Sequence, residues 1–176
     1  MSNCNSCPSK GSCNKQETCT IENNPNNKIK NVIGIMSGKG GVGKSTVTAL
    51  IAKQLNKMGY KVGILDADIT GPSIPRLMGV QDERAVSPNG KDIYPIVTDD
   101  NIKTMSINFM VGDENQAIVW KGPIISNTVK QFYKDVMWEE LDYLLIDMPP
   151  GTGDVPLTVM QNIPLNGVIM VSVPQD

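Results

Sequence analysis

The run Ser37-Gly38-Lys39-Gly40-Gly41-Val42-Gly43-Lys44-Ser45-Thr46 limits what this chain can fold into more than any other stretch. With glycine at 38, 40, 41 and 43, no Cβ keeps successive backbone N–H groups from wrapping an anion. Ahead of the loop, Val32-Ile33-Gly34-Ile35-Met36 is a short apolar run that reads as a buried parallel strand. Behind it, Val47, Leu50, Ile51 and Leu55 recur at helical spacing, which predicts a helix over 44–58 stopped by Gly59. A strand, a glycine loop and a helix in that order bring the loop amides and the positive helix end to one spot. There Lys44 supplies a point charge between β- and γ-phosphates, and Ser45 can ligate magnesium. The ligand these residues imply is ATP with Mg2+, and the reaction is its hydrolysis.

The alternation continues along the chain. A second strand is expected over Lys61–Leu65 ending on Asp66, another over Tyr143–Ile146 ending on Asp147, and a last one over Val168–Val173. Helices are expected over 123–138 and 154–161. Pro72, Pro75, Pro88 and Pro95 break the stretch between Gly71 and Met110, where a short helix is expected near Ser73–Met78 and strands near Ile93–Ile96 and Ile102–Ile107. Strands separated by helical segments predict an α/β fold, a mainly parallel sheet with helices on both faces. At 176 residues one domain suffices. The chain stops at Gln175-Asp176 directly after a strand, where the alternation would run on into a helix, so the sheet is expected to lack its C-terminal part.

Two carboxylates follow the second strand, in Leu65-Asp66-Ala67-Asp68, and alternation puts both on one side. A carboxylate at the C-terminal edge of such a strand faces the crevice where ligands sit. Asp68 is thus expected to orient an attacking water and Asp66 to support the magnesium shell. Asp147, held by Leu144-Leu145-Ile146, is the expected magnesium partner opposite Ser45. The turn Met148-Pro149-Pro150-Gly151-Thr152-Gly153-Asp154 reads equally as a switch that follows the γ-phosphate and as plain turn chemistry.

Residues 1–30 differ from the rest: Asn, Ser, Lys and Cys dominate, with too few branched apolar residues for a packed core. They are predicted to be a flexible arm in front of an ATPase domain over 31–176. All four cysteines, Cys4, Cys7, Cys13 and Cys19, lie in this arm, and the sequence has no histidine. Clustered thiols in a reducing compartment bind metal more often than they pair as disulfides. Four thiolates at this spacing suit either tetrahedral zinc or an iron-sulfur cluster, and four free thiols on a loose tail are the plainer alternative. A formal net charge of -2, the lack of a long basic run and 5% aromatics argue against a nucleic-acid partner. No run approaches about 18 consecutive apolar residues, and the arm lacks the basic-then-apolar order of a signal peptide. The expectation is a cytoplasmic protein with no membrane association.

Lys39 places a second lysine near the start of the glycine loop, and the run resembles the deviant Walker A loop of the MinD and ParA superclass. Taken with Asp66-Ala67-Asp68-Ile69-Thr70-Gly71-Pro72-Ser73-Ile74-Pro75, Trp120-Lys121-Gly122-Pro123 and the stretch from Asp142 to Asp154, the chain resembles the Mrp branch, the iron-sulfur cluster carriers, over about residues 30–176. That resemblance implies a Rossmann-like P-loop NTPase fold, a homodimer with ATP near its interface, and a [4Fe-4S] cluster delivered to apo iron-sulfur client proteins. It implies that Lys39 reaches the partner's nucleotide, that Lys44 and Ser45 hold phosphate and magnesium, that Asp68 positions the water and that Asp147 is the Walker B acid. The Cys-rich arm is similar to that of some relatives. The Cys-x-x-Cys pair that the family carries in its C-terminal half has no counterpart in this sequence.

Arg76 and Arg84 are the only arginines, and neither reads as an arginine finger, so hydrolysis is expected to be slow. Two other readings fit the residues. One is a MinD/ParA-like positioning ATPase, against which the Gly71-Pro72-Ser73 segment and the cysteine arm stand; the other is a regulatory ATPase with zinc on its Cys arm.

Overall fold

Long apolar runs that alternate with helical segments can bury both strand faces only in the middle of a sheet covered on each side. The computed structural model, which describes residues 24–68, 71, 73–87, 92–109, 122–151 and 153–174, has that arrangement. In chain order the elements are β1 (Lys28–Ser37), α1 (Lys44–Lys57), β2 (Val62–Asp66), α2 (Ile74–Leu77), β3 (Ile96–Val97), β4 (Lys103–Ser106), α3 (Gly122–Asp135), β5 (Glu140–Asp147), α4 (Asp154–Asn162) and β6 (Gly167–Val171). The six strands lie in the order β3-β4-β2-β5-β1-β6. All neighbours are parallel except β3, which runs antiparallel to β4. Among the described residues β6 pairs with β1 alone and forms one edge.

The step from β1 through α1 to β2 moves one way across the sheet, whereas the steps through α3 and α4 move the other way. Right-handed crossovers therefore place α1 on one face and α3 with α4 on the opposite face. α3 and α4 pack together, as do α1 and α2. Every residue of β2 is buried, and Ile35, Leu144, Leu145 and Ile146 fill the centre beside it. Register puts Ile35 and Asp66 on either side of Asp147, so the C-terminal ends of β1, β2 and β5 are level.

Several boundaries differ from expectation. β1 begins at Lys28, not Val32, because its first residues pair with Glu140 and Leu141. On α1 the buried face is Lys44, Thr48, Ala49 and Ala52; Ile51 and Leu55 pack at its margin, but Leu50 is 62% exposed. Small side chains let the helix lie close to the sheet, and the larger Leu50 is turned away. Ile93 and Tyr94 make only isolated bridges, to Val136 and Val86, and the regular strand falls on Ile96–Val97. The bridge from Val136 also ends α3 at Asp135, leaving Trp138 to fill the core with its Nε1–H donating to the Phe132 carbonyl at 3.2 Å. β4 gives way to a 3-10 turn over Ile107–Phe109.

Candidate functional site

The glycine loop joins β1 to α1 at that level edge. Gly41 and Gly43 have φ of 77° and 87°, the left-handed region that L side chains rarely adopt, and a Cβ at either would meet no protein atom within 4 Å. Their glycines thus serve backbone conformation and keep the space above the loop open. Gly43 is the N-cap of α1, no side chain caps the helix, and its first turn holds no acidic residue. Ser37 Oγ donates to the Lys39 carbonyl at 3.0 Å and steadies the loop entrance. Uncapped amides at the start of a 14-residue helix form an anion site.

Asp147 is the hub beneath the loop. It is wholly buried, and its Oδ1 lies 2.9 Å from Lys44 Nζ, which is itself 3.7 Å from Asp68 Oδ2. Ser45 Oγ donates to Asp147 Oδ2 at 2.6 Å and Thr48 Oγ1 to Oδ1 at 2.9 Å. A buried charge survives only when paired and hydrogen-bonded, and this carboxylate has both. Ser45 Oγ and Asp147 Oδ2 are hard oxygen donors side by side at the helix N-terminus, a donor set that fits Mg2+. Thr48 was not among the residues expected in the site; its signal in the sequence is only its place one turn beyond Lys44.

Asp66 and Asp147 are register partners on adjacent strands. Asp66 is also buried: its Oδ1 accepts the Asp68 N–H at 3.1 Å and its Oδ2 accepts the Ser106 hydroxyl at 3.2 Å. Burial, reinforced by the neighbouring Asp147 carboxylate, pushes the Asp66 carboxyl well above the usual carboxylate range. Its oxygens are turned to β4 and to the backbone of Asp68, so its contact with the site runs through Asp68.

Two cavities flank the loop. One of about 460 Å³ is lined by Gly40, Gly41, Lys44, Ser45, Asp68 and Arg76, among others. The other, about 320 Å³, is lined by Gly38, Lys39, Val42 and the end of β6. Lys39 is exposed on that second side and Val42 half-buried. Thr46 lies in the wall of the first cavity. The turn after β5 is tied to the loop, for Gly151 N–H donates to the Ser37 carbonyl at 2.8 Å and Pro150 lies against Gly40. Cys4, Cys7, Cys13 and Cys19 lie outside the described residues, as do Ile69, Thr70, Pro72, Trp120, Lys121 and Thr152 of the other motifs. Among the described residues no helix is long and apolar enough to cross a membrane.

A mainly parallel α/β sheet whose first strand runs through a glycine loop onto a helix, with a buried lysine and carboxylate below it, defines a P-loop NTPase. The family described as "ParA: NUBPL iron-transfer P-loop NTPase" matches residues 28–176, and the chain belongs to it. The chain is 50% identical to an iron-sulfur cluster carrier protein of Clostridium perfringens, over 98% of this chain and 63% of that one. It is 51% identical to an iron-sulfur cluster carrier protein of Methanocaldococcus jannaschii, over 98% of this chain and 61% of that one. A solved nucleotide-binding protein of Archaeoglobus fulgidus in complex with ADP superposes with a TM-score of 0.72 at 49% identity, covering 84% of this chain and 56% of that one. The chain thus spans a little over 60% of the length of the two carriers, and the match to both takes in most of the cysteine arm.

Proposed function

We propose that this chain is the nucleotide-binding part of an ATP-hydrolysing iron-sulfur cluster carrier, which binds a [4Fe-4S] cluster and passes it to apo-proteins. The observation that carries the nucleotide half is the convergence of Lys44, Ser45 and Thr48 on Asp147 beneath the open glycine loop. The loop amides and Lys44 grip the phosphates, while Ser45 and Asp147 would hold magnesium, which would supply positive charge against the phosphates. Asp68, facing the same cavity, orients the attacking water, and Asp66 braces Asp68 through its backbone N–H. Hydrolysis is slow and takes place in a cytoplasmic homodimer, in which Lys39 extends from each exposed loop toward the other protomer's nucleotide.

The cluster half rests on the relatives named as iron-sulfur cluster carriers and on the four thiols of the arm. Cys4, Cys7, Cys13 and Cys19 supply soft ligands suited to a [4Fe-4S] cluster. Anaerobic addition of iron and sulfide, followed by incubation with an apo iron-sulfur protein, tests this. A brown species whose colour moves to the client is the expected result. A colourless protein that holds zinc tightly would overturn the carrier reading in favour of a regulatory ATPase.

A further inference from the structure

Arg76 stands on α2 and lines the larger cavity together with the glycine loop. Ile74 and Pro75 are buried, and the Met78 and Val80 amides donate to the carbonyls of Ile74 and Pro75, each at 2.9 Å. The Arg76 backbone is therefore fixed, although its side chain is exposed. Only two cationic side chains line this cavity among the described residues, Lys44 and Arg76. Lys44 lies 2.9 Å from Asp147 and 3.7 Å from Asp68 at the base of the cavity. The Arg76 guanidinium has no hydrogen bond or ion pair with the described residues, whereas Arg84 Nη1 donates to the carbonyls of Gln81 and Glu83 at 3.3 and 2.9 Å, and Arg84 does not line this cavity.

A nucleoside triphosphate brings about four negative charges, of which one divalent ion and one lysine offset about three. A planar guanidinium with five donors suits the remaining phosphate oxygens better than any other side chain. Asp68 lines the same cavity, so this is the side of the loop on which the attacking water, and hence the terminal phosphate, is expected. We propose that Arg76, which lines the same cavity as the glycine loop, contacts the terminal phosphate of the bound nucleotide in cis, as a ground-state contact and not an arginine finger, and makes the cavity favour a triphosphate over a diphosphate. This rests on the nucleotide reading above.

Titration calorimetry of the full chain with magnesium, using ADP and a non-hydrolysable ATP analogue, tests the assignment in wild type, Arg76→Gln, Arg76→Lys and Arg84→Gln. Arg76→Gln should bind the analogue about tenfold more weakly and ADP unchanged, the size expected for one lost charge-assisted hydrogen bond. Arg76→Lys should recover part of the loss, and Arg84→Gln should match wild type. Retained ADP binding reports that the variant is folded. An unchanged ratio of the two affinities in Arg76→Gln, or an equal loss of both, overturns the role of Arg76 and leaves the nucleotide site standing. Wild type that binds neither nucleotide overturns the nucleotide reading, and this one with it.

Discussion

Ser45 Oγ donates to Asp147 Oδ2 at 2.6 Å across 102 positions of sequence. This bond ties the first turn of α1 to the end of β5, and Lys44 and Thr48 join the same carboxylate from the same helix. Three contacts of one carboxylate with the start of one helix, from Lys44, Ser45 and Thr48, fix the loop relative to the sheet edge. The loop's position is therefore set by a charge balance as well as by glycine.

Removing Lys44 tests that balance. In Lys44→Ala the buried Asp147 loses its counter-ion, and a broken buried pair costs about 3–5 kcal/mol. Urea unfolding should show a loss of that order, and ATP turnover should fall to background. Turnover equal to wild type would remove the assignment of this loop as the phosphate site.

Thr48→Val keeps the shape of the side chain and deletes one donor to the same carboxylate. The loss should be about 1.5–3 kcal/mol, since the acceptor is charged, and Thr48→Ser should stay close to wild type. A urea midpoint unchanged by the valine would mean that Ser45 and Lys44 alone satisfy Asp147.

Gly63 lies in the middle of β2, where a Cβ would sit 2.7 Å from Leu141 Cδ1 and 3.1 Å from Trp138 Cζ3. Gly63→Ala should destabilise by about 1–3 kcal/mol through overpacking. Trp138 fluorescence would report the shift directly, and an unaltered emission spectrum with unaltered stability would show that the strand gives way freely.

The opposite end of the sheet carries a row of ion pairs, each with at least one exposed partner: Lys30 with Asp142 at 2.7 Å, Lys103 with Glu139 at 2.6 Å, and Lys61 with Glu140. Hydrogen bonds from Lys103, Lys61 and Lys30 hold the Glu139, Glu140 and Asp142 carboxyls below their usual range. The unfolded chain then binds more protons than the folded one in this window, so the stabilisation is present at neutral pH and is lost on acidification. The loss should begin below about pH 4.3 and shrink in concentrated salt, because the groups are exposed. Urea unfolding at several pH values, with and without the three lysines changed to methionine, checks this; identical slopes would clear the pairs of responsibility.

Much of the site could be read in the sequence because its parts are local. The strand, glycine loop and helix are contiguous, and Asp66 and Asp147 close apolar runs whose burial fixes where they end. What escaped notice depends on partners far along the chain. Thr48 and Ser106 are ordinary polar residues until folding sets them beside Asp147 and Asp66. Arg76 gains meaning only because folding brings α2 to the cavity that the loop also lines. The outward turn of Leu50 had no signal in helical spacing, which marks a stripe of apolar residues but not which of two adjacent faces meets the sheet. Likewise the direction of β3 is set by two residues pairing with β4, too short a stretch to carry a pattern.

Among the described residues β6 hydrogen-bonds on one side only, and its Val168 and Met170 are 45% and 60% exposed. Its outer margin offers a row of amide and carbonyl groups and an oily flank to any extended polypeptide that comes alongside. Handled at high concentration, a stretch of this length should stick to itself through that margin, and a lysine in place of Val168 should keep the solution clear.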